Sequence, residues 1–308
     1  MVANSQCFKE YWENKSKMSV RDKSNSFNIY ESPAKSLLNK ATGFINYYDF
    51  TLNPYRGCQY GCSYCYAAAF SPSPKMRQTW GEWVIIKQNA TEILDKELAK
   101  WYKKNPDKHP SIYMSSVTDP YQPIESAEKL SRGLLEVMLK YQPTLVIQTR
   151  SPMITRDIDI LRQFQRLRIN LSIPTGSESV RKDFEPRSPS IKARLNAIGK
   201  LIHNIVSDDT HHIKFSVTVT PLLPILPEDR IPFINKLEIV DRVVIQEFHT
   251  SQTRSHVAGT REEAIALKQK YAWWYDREQE NYFEFKQKLV DLLPSVEIKE
   301  GKEGFGYE

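Results

Sequence analysis

Residues 53–66 read NPYRGCQYGCSYCY and place Cys58, Cys62 and Cys65 in one short loop. The loop follows a strand-like run at residues 49–52, and its cysteine spacing is C-x3-C-x2-C. Thiolates are the usual ligands of iron–sulfur clusters. Because three cysteines supply ligands to three irons of a [4Fe–4S] cluster, the spacing predicts a cluster that keeps one iron open to another ligand.

Gly57 and Gly61 allow the backbone of this loop to fold closely around a cluster. Three other interpretations stay open: a zinc site, a cluster closed by a fourth cysteine, and chance clustering. A zinc site wants a fourth ligand at short spacing, whereas the closest histidine is His109. The one remaining cysteine, Cys7, lies in a polar N-terminal stretch. The missing fourth ligand therefore favours the cluster with an open iron.

The composition is that of a globular chain, with 40% hydrophobic and 26% charged residues among 308. Its formal net charge of +6 permits a nucleic-acid partner without requiring one. No apolar run is long enough to cross a bilayer, and the polar N-terminus lacks the apolar core of a secretory signal. We therefore expect a cytoplasmic protein without a membrane partner, whose crowded cysteines bind metal rather than form disulfides.

After residue 44, strand-like runs alternate with helical patterns. The predicted strands are residues 49–52, 111–115, 145–149, 168–173, 213–220 and 242–246. The predicted helices are residues 90–103, 126–140, 157–164, 190–205, 228–237 and 260–292. This alternation predicts right-handed crossovers and a parallel sheet, curved or closed into an incomplete barrel. Functional residues are then expected where the strands end.

We expect three regions: an N-terminal extension over residues 1–43, a barrel over 44–250 and a C-terminal helical extension over 251–308. Residues 260–292 are rich in aromatic and charged residues and predict one long helix packed on the barrel. Residues 294–308 contain three glycines, so this tail is expected to fray.

Three further sequence motifs occur after the cysteine loop: TDPYQPIE at residues 118–125, TRD at 155–157 and EPRSP at 185–189. Together they resemble the spore-photoproduct-lyase-like branch of the radical S-adenosylmethionine (SAM) superfamily. The resemblance implies an α/β fold, a partial (β/α)6 barrel, with a [4Fe–4S] cluster and SAM at its top. It also implies reductive cleavage of SAM to methionine and a 5′-deoxyadenosyl radical, with electrons from a reductant such as flavodoxin or ferredoxin.

Residues at the predicted strand ends resemble the SAM contacts of that family. The candidates are Tyr64, Tyr66, Thr118, Asp119, Arg150, Ser172 and Thr220. Arg150 stands where related lyases have a lysine for the SAM carboxylate, and a guanidinium can make that contact with two hydrogen bonds. Core packing is an alternative role for the tyrosines, and a local turn or cap is an alternative for Thr118, Asp119 and Ser172.

The loop of residues 185–189 carries a second pair of candidate groups, Glu185 and Arg187. They either pair with each other or face the substrate, and the sequence does not choose between these roles. An exposed ion pair is the commoner arrangement of such side chains.

The substrate is not implied by the resemblance. Ser116 stands where the lyase has its hydrogen-donor cysteine, and its O–H bond is much stronger than an S–H bond, which argues against thymine-dimer repair by that route. Tyr113 and Tyr121 are alternative donors, and Glu247 and His249 line the expected substrate mouth.

Three further functions stay open beside a radical SAM reaction on an unidentified substrate. One is a lyase that repairs or modifies nucleic acid. Another is non-standard SAM cleavage with transfer of a 3-amino-3-carboxypropyl group. The last is an iron–sulfur sensor or scaffold without turnover.

Overall fold

The computed structural model describes residues 18–23, 27–206, 213–248 and 261–308. Cys7 and His249 lie outside these ranges. The described strands are β1 (Ser19–Lys23), β2 (Asn28–Pro33), β3 (Leu38–Lys40), β4 (Phe50–Leu52), β5 (Tyr55–Arg56), β6 (Trp83–Gln88), β7 (Ser111–Met114), β8 (Thr144–Thr149), β9 (Leu167–Ser172), β10 (Lys214–Val219), β11 (Arg242–Ile245) and β12 (Glu297–Glu300).

The larger sheet has eight strands in the order β12-β11-β10-β9-β8-β7-β4-β3. Neighbouring strands from β4 to β12 are parallel, whereas β3 pairs antiparallel at one edge. Tyr113 of β7 and Val244 of β11 share one apolar cluster although three strands separate them, so the sheet curves into an incomplete barrel. The six strands that alternation predicts are all present, and the predicted α/β fold with a parallel sheet is confirmed.

Strand residues alternate between the barrel interior and an outer layer of helices. In β8, Leu145 and Ile147 join the main core under the helices, whereas Val146 faces the interior. The described helices are α1 (Pro74–Gln78), α2 (Ala90–Lys104), α3 (Glu125–Glu128), α4 (Leu130–Leu139), α5 (Ile158–Leu161), α6 (Glu178–Phe184), α7 (Ile191–Ile205), α8 (Pro227–Asn235), α9 (Glu262–Lys270), α10 (Ala272–Tyr275), α11 (Glu278–Leu292) and α12 (Gly301–Gly304). Within the described ranges, no helix combines the length and the apolar character needed to cross a membrane.

Two predicted helices are interrupted. Residues 126–140 divide into α3 and α4 at Lys129, whose φ of +50° cannot continue a right-handed helix. The C-terminal pattern divides into α9, α10 and α11, because Tyr271 and Arg277 leave helical geometry and let Trp274 turn into the main core. The longest of the three, α11, is the C-terminal helix on the barrel.

A second sheet, in the order β1-β2-β6-β5, lies beside the cysteine loop. Its central strands β2 and β6 are parallel, and β5 ends two residues before the first cysteine, Cys58. The sequence predicts only a polar extension before residue 44, because β2 has weak alternation and its partner β6 is distant along the chain. The extra sheet gives the cysteine loop a rigid support.

The tail, residues 301–308, fills the lower part of the barrel. Phe305 packs against Tyr48, Tyr113, Val146 and Val244, and the Tyr48 hydroxyl donates to the Phe305 carbonyl oxygen at 2.6 Å. The expectation that the tail frays is therefore wrong, because its apolar side chain is buried in the barrel.

Two buried arginines bind the tail by its backbone. Arg168 donates through Nε to the Tyr307 carbonyl oxygen at 2.8 Å, and Arg242 donates through Nη1 to the Gly306 carbonyl oxygen at 2.9 Å. Arg242 begins β11 and Arg168 lies near the start of β9. The tail thus closes the barrel at the end opposite to the cysteine loop.

The packing of the tail in the barrel can be tested at Gly304, because a Cβ at this position would overlap the Val244 side chain. We expect Gly304→Ala to lower the free energy of unfolding by about 1–3 kcal/mol, the usual cost of overpacking. Gly199→Ala is the matched control, because Gly199 lies within α7 with nothing near its missing Cβ. That control is expected to stabilise by about 0.5–1 kcal/mol. Urea unfolding of both variants checks the prediction, and equal effects would contradict it.

Candidate functional site

The cysteine loop packs against the small sheet. Cys58 and Cys62 are buried and Cys65 is partly buried. Trp80 and Trp83 join Cys58 and Cys62 in one apolar cluster. Such a shell limits the access of water to a group that the thiols bind.

Two glycines allow the loop to approach the small sheet closely. Gly57 has a φ of +85°, and a Cβ there would lie 2.6 Å from the Trp83 ring and 2.7 Å from the Trp83 carbonyl oxygen. Gly61 has a φ of +56°, and a Cβ there would lie 2.9 Å from the Cα of Gly81. Both positions therefore exclude a side chain, which explains the glycines of the motif.

The other side of the loop is hydrogen-bonded to residues that follow β7. Thr118 donates through Oγ1 to the Gly57 carbonyl oxygen at 2.6 Å. Gln122 donates through Nε2 to the same oxygen at 3.3 Å and accepts from the Gln59 amide at 2.8 Å. Thr118, a predicted SAM contact, thus binds the backbone of the cysteine loop. The buried Gln122 is not among the residues predicted from the sequence, and its place four residues after Thr118 in TDPYQPIE was the only available signal.

Asp119 is buried and joins the ends of β7 and β8. Its Oδ1 accepts from the Thr149 hydroxyl at 2.7 Å and from the Tyr121 amide at 2.9 Å. Its Oδ2 accepts from the Arg150 amide at 2.9 Å. Burial raises the pKa of this carboxyl, and the three donors oppose the rise. Asp119 therefore fixes the backbone from which Arg150 projects, and its contact with SAM stays a prediction.

Arg150 points at the cysteine loop. Its Nη1 lies 2.9 Å from Cys62 Sγ and 3.1 Å from the Tyr64 hydroxyl oxygen. The same nitrogen pairs with Glu185, which also accepts from the Tyr64 hydroxyl. Glu185 is fully buried, and its other oxygen accepts from Arg194 Nη2 at 2.5 Å. A carboxylate between two guanidinium groups thus holds Arg150 and Tyr64 beside Cys62.

The structure shows neither of the two arrangements considered for Glu185 and Arg187. Glu185 pairs with Arg150 and Arg194, and Arg187 donates to the Gly81 carbonyl oxygen. Burial alone would raise the pKa of Glu185, but the Arg150 and Arg194 charges outweigh it and hold this pKa below its usual value. Sequence spacing could not find these partners, because Arg150 follows β8, Arg194 lies in α7 and Gly81 precedes β6.

The donor set of the loop suits an iron–sulfur cluster. Burial raises the pKa of all three thiols, to about 12 for Cys62, where the Arg150 charge opposes the rise. Nowhere in the described ranges are three or more His, Cys, Asp or Glu side chains spaced to hold a single metal ion. A cluster instead takes one thiolate per iron, and its iron favours the thiolate form. Cys58, Cys62 and Cys65 therefore fit three irons of a [4Fe–4S] cluster.

Tyr66 and Ser116 lie together at the open edge of the loop. Tyr66 is 47% exposed, and its hydroxyl donates to the Ser116 carbonyl oxygen. The Ser116 hydroxyl accepts from Asn53 Nδ2 at 3.3 Å, and Asn53 Oδ1 accepts from the Val117 amide at 3.0 Å. The serine at the donor position of the lyases is thus held by Asn53.

Three of the remaining candidates lie along the barrel interior or its rim. Ser172 is buried at the end of β9, and Thr220 directly follows β10. The Tyr113 ring is buried within the barrel, and its hydroxyl donates to Gln148 Oε1 at 3.1 Å.

The other two candidates are separated from this group. Tyr121 is fully buried in the outer core, with the Arg156 guanidinium 5.9 Å from its ring centre. Glu247 lines a groove with Tyr282 and Phe283, and the described lining of that groove includes no residue of the cysteine loop.

Lys87 connects the small sheet to Asn53, donating through Nζ to the Asn53 carbonyl oxygen at 2.6 Å. Burial and then the nearby Arg56 charge lower the pKa of Lys87 to about 8, from 10.5. Between these two pH values the folded chain binds fewer protons at Lys87 than the unfolded chain, so its stability rises with pH.

Lys87→Met removes this titration. We expect the unfolding free energy of the unsubstituted chain to rise relative to that of the variant between about pH 8 and 10.5, by up to about 1.4 kcal/mol per pH unit. Chemical unfolding of both proteins across that range measures the difference. A difference that does not change with pH would contradict the prediction.

The comparison with known families agrees with this geometry. The sequence model of the radical SAM superfamily matches residues 52–237, more than half of the chain. The chain belongs to the radical SAM superfamily. Membership implies in general a [4Fe–4S] cluster and SAM as cofactors.

Curated relatives of this radical SAM superfamily member include an uncharacterized protein of Methanocaldococcus jannaschii, 35% identical over 175 residues, which are 57% of this chain and 61% of that protein. An uncharacterized protein of Acidianus two-tailed virus is 29% identical over 183 residues, 57% of this chain and 56% of that protein. The chain thus spans about three fifths of the length of these relatives.

Solved structures of spore photoproduct lyase have a similar fold. A cysteine-to-serine variant of that lyase is 14% identical, with a TM-score of 0.59 over 88% of this chain and 81% of the lyase. The lyase complexed with dinucleoside spore photoproduct is 15% identical, with the same TM-score and coverage. At this identity the likeness concerns the fold alone.

Two of the motifs on which the family resemblance rests have structural roles in this radical SAM domain. Glu125 of TDPYQPIE is fully buried and pairs with Arg156 of TRD at 2.7 Å. Asp157, also fully buried, pairs with Arg156 at 2.8 Å and Arg132 at 3.0 Å. These residues join the loops after β7 and β8, so they identify the scaffold rather than the reaction.

Proposed function

We propose that Cys58, Cys62 and Cys65 hold a [4Fe–4S] cluster whose fourth iron binds SAM, and that the enzyme cleaves SAM reductively. When bound, the cluster and SAM supply a 5′-deoxyadenosyl radical, which abstracts a hydrogen atom from a substrate, while methionine is released and a flavodoxin or ferredoxin provides the electron. The observation that carries the proposal is the placement of three thiols on one supported loop, together with the Arg150 guanidinium at Cys62.

Arg150 is proposed to bind the SAM carboxylate. Its Nη1 makes the contacts to Cys62, Tyr64 and Glu185, and among the described residues its side-chain Nε and Nη2 have no hydrogen-bond acceptor. These two nitrogens lie on one edge of the guanidinium and suit a carboxylate held by two hydrogen bonds. Glu185 neutralises part of the Arg150 charge and keeps the group from turning away.

The remaining proposed contacts surround that position. Tyr64 is fixed by Glu185 beside Cys62, and the exposed Tyr66 is free to pack against the adenosine. Ser172 and Thr220 lie at the ends of β9 and β10, where a ribose and an adenine are proposed to bind.

The hydrogen donor is proposed not to be a thiol at the end of β7. Ser116 occupies that place and accepts a hydrogen bond from Asn53. Its O–H bond is too strong to quench a carbon radical readily. Thymine-dimer repair by thiol hydrogen return is therefore not the proposed reaction.

Anaerobic reconstitution with iron and sulfide, followed by SAM and dithionite, tests the proposal. We expect release of 5′-deoxyadenosine and methionine from the unsubstituted chain, and release at background level from Cys62→Ala, which also loses cluster iron. Cys7→Ala is the control for a closed cluster and is expected to keep both the cluster and the activity. No release from an intact cluster would contradict the proposal, and transfer of a 3-amino-3-carboxypropyl group would show the other SAM cleavage.

Nucleic acid is the second candidate substrate, favoured by the net charge of +6. Binding of DNA or RNA that weakens steeply as salt rises would support it, because phosphate contacts release counterions. Absence of binding to DNA and RNA at low salt would exclude nucleic acid as the substrate.

A further inference from the structure

The sulfur of Cys62 differs from the other two sulfurs of the motif in the group that contacts it. Arg150 donates through Nη1 to Cys62 Sγ at 2.9 Å. The other two sulfurs accept from backbone amides close to them in sequence, those of Tyr60, Ala67 and Ala68. Among the described residues, a cationic hydrogen-bond donor is thus placed at Cys62.

This contact is shielded from water. Cys62 is 4% exposed, and the Arg150 side chain is 16% exposed. The Ser188 hydroxyl oxygen, which lies 3.9 Å from the same sulfur, belongs to a buried residue as well. Because water screens buried charges only weakly, the Arg150 guanidinium acts on the sulfur more strongly than an exposed arginine would.

Buried carboxylates hold Arg150 in this position. Asp119 accepts from the Arg150 amide at 2.9 Å, and Glu185 pairs with the guanidinium. The other oxygen of Glu185 accepts from the buried Arg194, so two guanidinium groups share one carboxylate. Burial raises the pKa of Cys62, and Arg150 opposes this rise more strongly than Glu185 adds to it. The positive charge of Arg150 is therefore only partly neutralised at the sulfur.

We propose that the hydrogen bond from Arg150 to Cys62 Sγ raises the reduction potential of the cluster. The inference rests on the proposed function, because it takes the three thiols as cluster ligands. Reduction by one electron adds one negative charge to a cluster, and cluster potentials depend on net charge and on hydrogen bonds to the sulfurs. A positive charge and a hydrogen bond at a ligand sulfur both stabilise the reduced form. A flavodoxin or ferredoxin therefore reduces the cluster more easily than it would without Arg150.

This role of Arg150 is separate from its proposed contact with SAM. The sulfur is contacted by Nη1, whereas the SAM carboxylate is proposed to bind Nε and Nη2. The two roles thus use different edges of one guanidinium. Since the bond to the sulfur does not involve SAM, its effect on the reduction potential is measurable in protein that contains the cluster alone.

Redox titration of the reconstituted protein without SAM tests the inference, with the reduced cluster measured by electron paramagnetic resonance. Arg150→Met removes both the charge and the hydrogen-bond donor. We expect it to lower the equilibrium constant for reduction about tenfold, which is a fall of about 59 mV in the midpoint potential for one electron. Arg150→Lys keeps a positive donor at this position and is expected to recover most of that loss.

Arg187→Met is the matched control. Arg187 also lies beside the cysteine loop, because it donates to the carbonyl oxygen of Gly81, whose Cα approaches Gly61. Its donor, however, binds a backbone oxygen and not a sulfur. The control removes the same charge and is expected to leave the midpoint potential unchanged. An equal fall in Arg187→Met and Arg150→Met would overturn the inference, since it would show an effect of overall charge alone.

Arg150→Gln is the second variant if Arg150→Met does not retain the cluster. A carboxamide is neutral but still donates to Glu185, so we expect a retained cluster and a lower potential. A cluster in either variant with the midpoint potential of the unsubstituted chain would overturn the inference alone. Failure of the unsubstituted chain to bind a [4Fe–4S] cluster would instead contradict the proposed function, and the two failures are therefore distinguishable.

Discussion

Replacing Glu185 by alanine is expected to lower the free energy of unfolding by about 3–5 kcal/mol, because it leaves two buried arginines without their counter-charge. Arg194 is fully buried, and the Arg150 side chain is 16% exposed. The Tyr64 hydroxyl would also lose its acceptor. Anaerobic urea unfolding of the reconstituted protein measures the loss.

Glu280→Ala is the matched control for Glu185→Ala. Glu280 pairs with Arg277 on the surface, where both side chains are more than half exposed. Such a pair contributes about 0–1 kcal/mol, because water and salt screen it. If both variants lost the same stability, the network around Glu185 would not have the importance that its burial indicates. Glu185→Gln keeps the shape without the charge and is expected to fall between them.

Gly57→Ala is expected to prevent the cysteine loop from closing on the small sheet. The added Cβ would meet both the ring and the backbone oxygen of Trp83, and the positive φ adds strain of its own. The two effects together are expected to cost about 2–6 kcal/mol. Because Cys58 is the next residue, we expect cluster iron per chain to fall to background after reconstitution.

A second glycine, Gly43, separates the causes of the Gly57→Ala effect. Gly43 also has a positive φ, +63°, but nothing lies near its missing Cβ. Gly43→Ala therefore carries strain alone, about 1–2 kcal/mol, and is expected to keep the cluster. Iron analysis and the absorbance of the cluster compare the variants. Retention of the cluster in Gly57→Ala would show that the loop does not need its contact with Trp83.

Much of the barrel was predictable because its strands carry their own signal. Runs such as residues 213–220 alternate apolar and polar side chains, and the structure places β10 there. The small sheet was not predictable in the same way. Its strand β2 is only partly buried along its length, so neither face shows a clear apolar pattern. The tail was missed for another reason: Arg168 and Arg242 bind its carbonyl oxygens, which every sequence has.

The candidate site was predictable in its residues but not in their partners. The cysteine spacing identified the loop, and the strand-end rule found Arg150 and Asp119. Asp119 binds two backbone amides, and such donors leave no trace in a sequence. Glu185 meets Arg150 and Arg194 only after three separate segments have folded.

The tail has a consequence for the order in which the chain folds. Tyr48 bonds to Phe305 and Tyr47 bonds to Lys302, which are contacts across 257 and 255 residues. Closing so large a loop costs entropy before any contact repays it, so these contacts are expected to form late. Until residues 301–308 leave the ribosome, Arg168 and Arg242 lack the carbonyl oxygens that they bind in the barrel. The sheet is therefore expected to form before its lower interior is filled, and that end of the barrel closes only once residues 301–308 are available to bind Arg168 and Arg242.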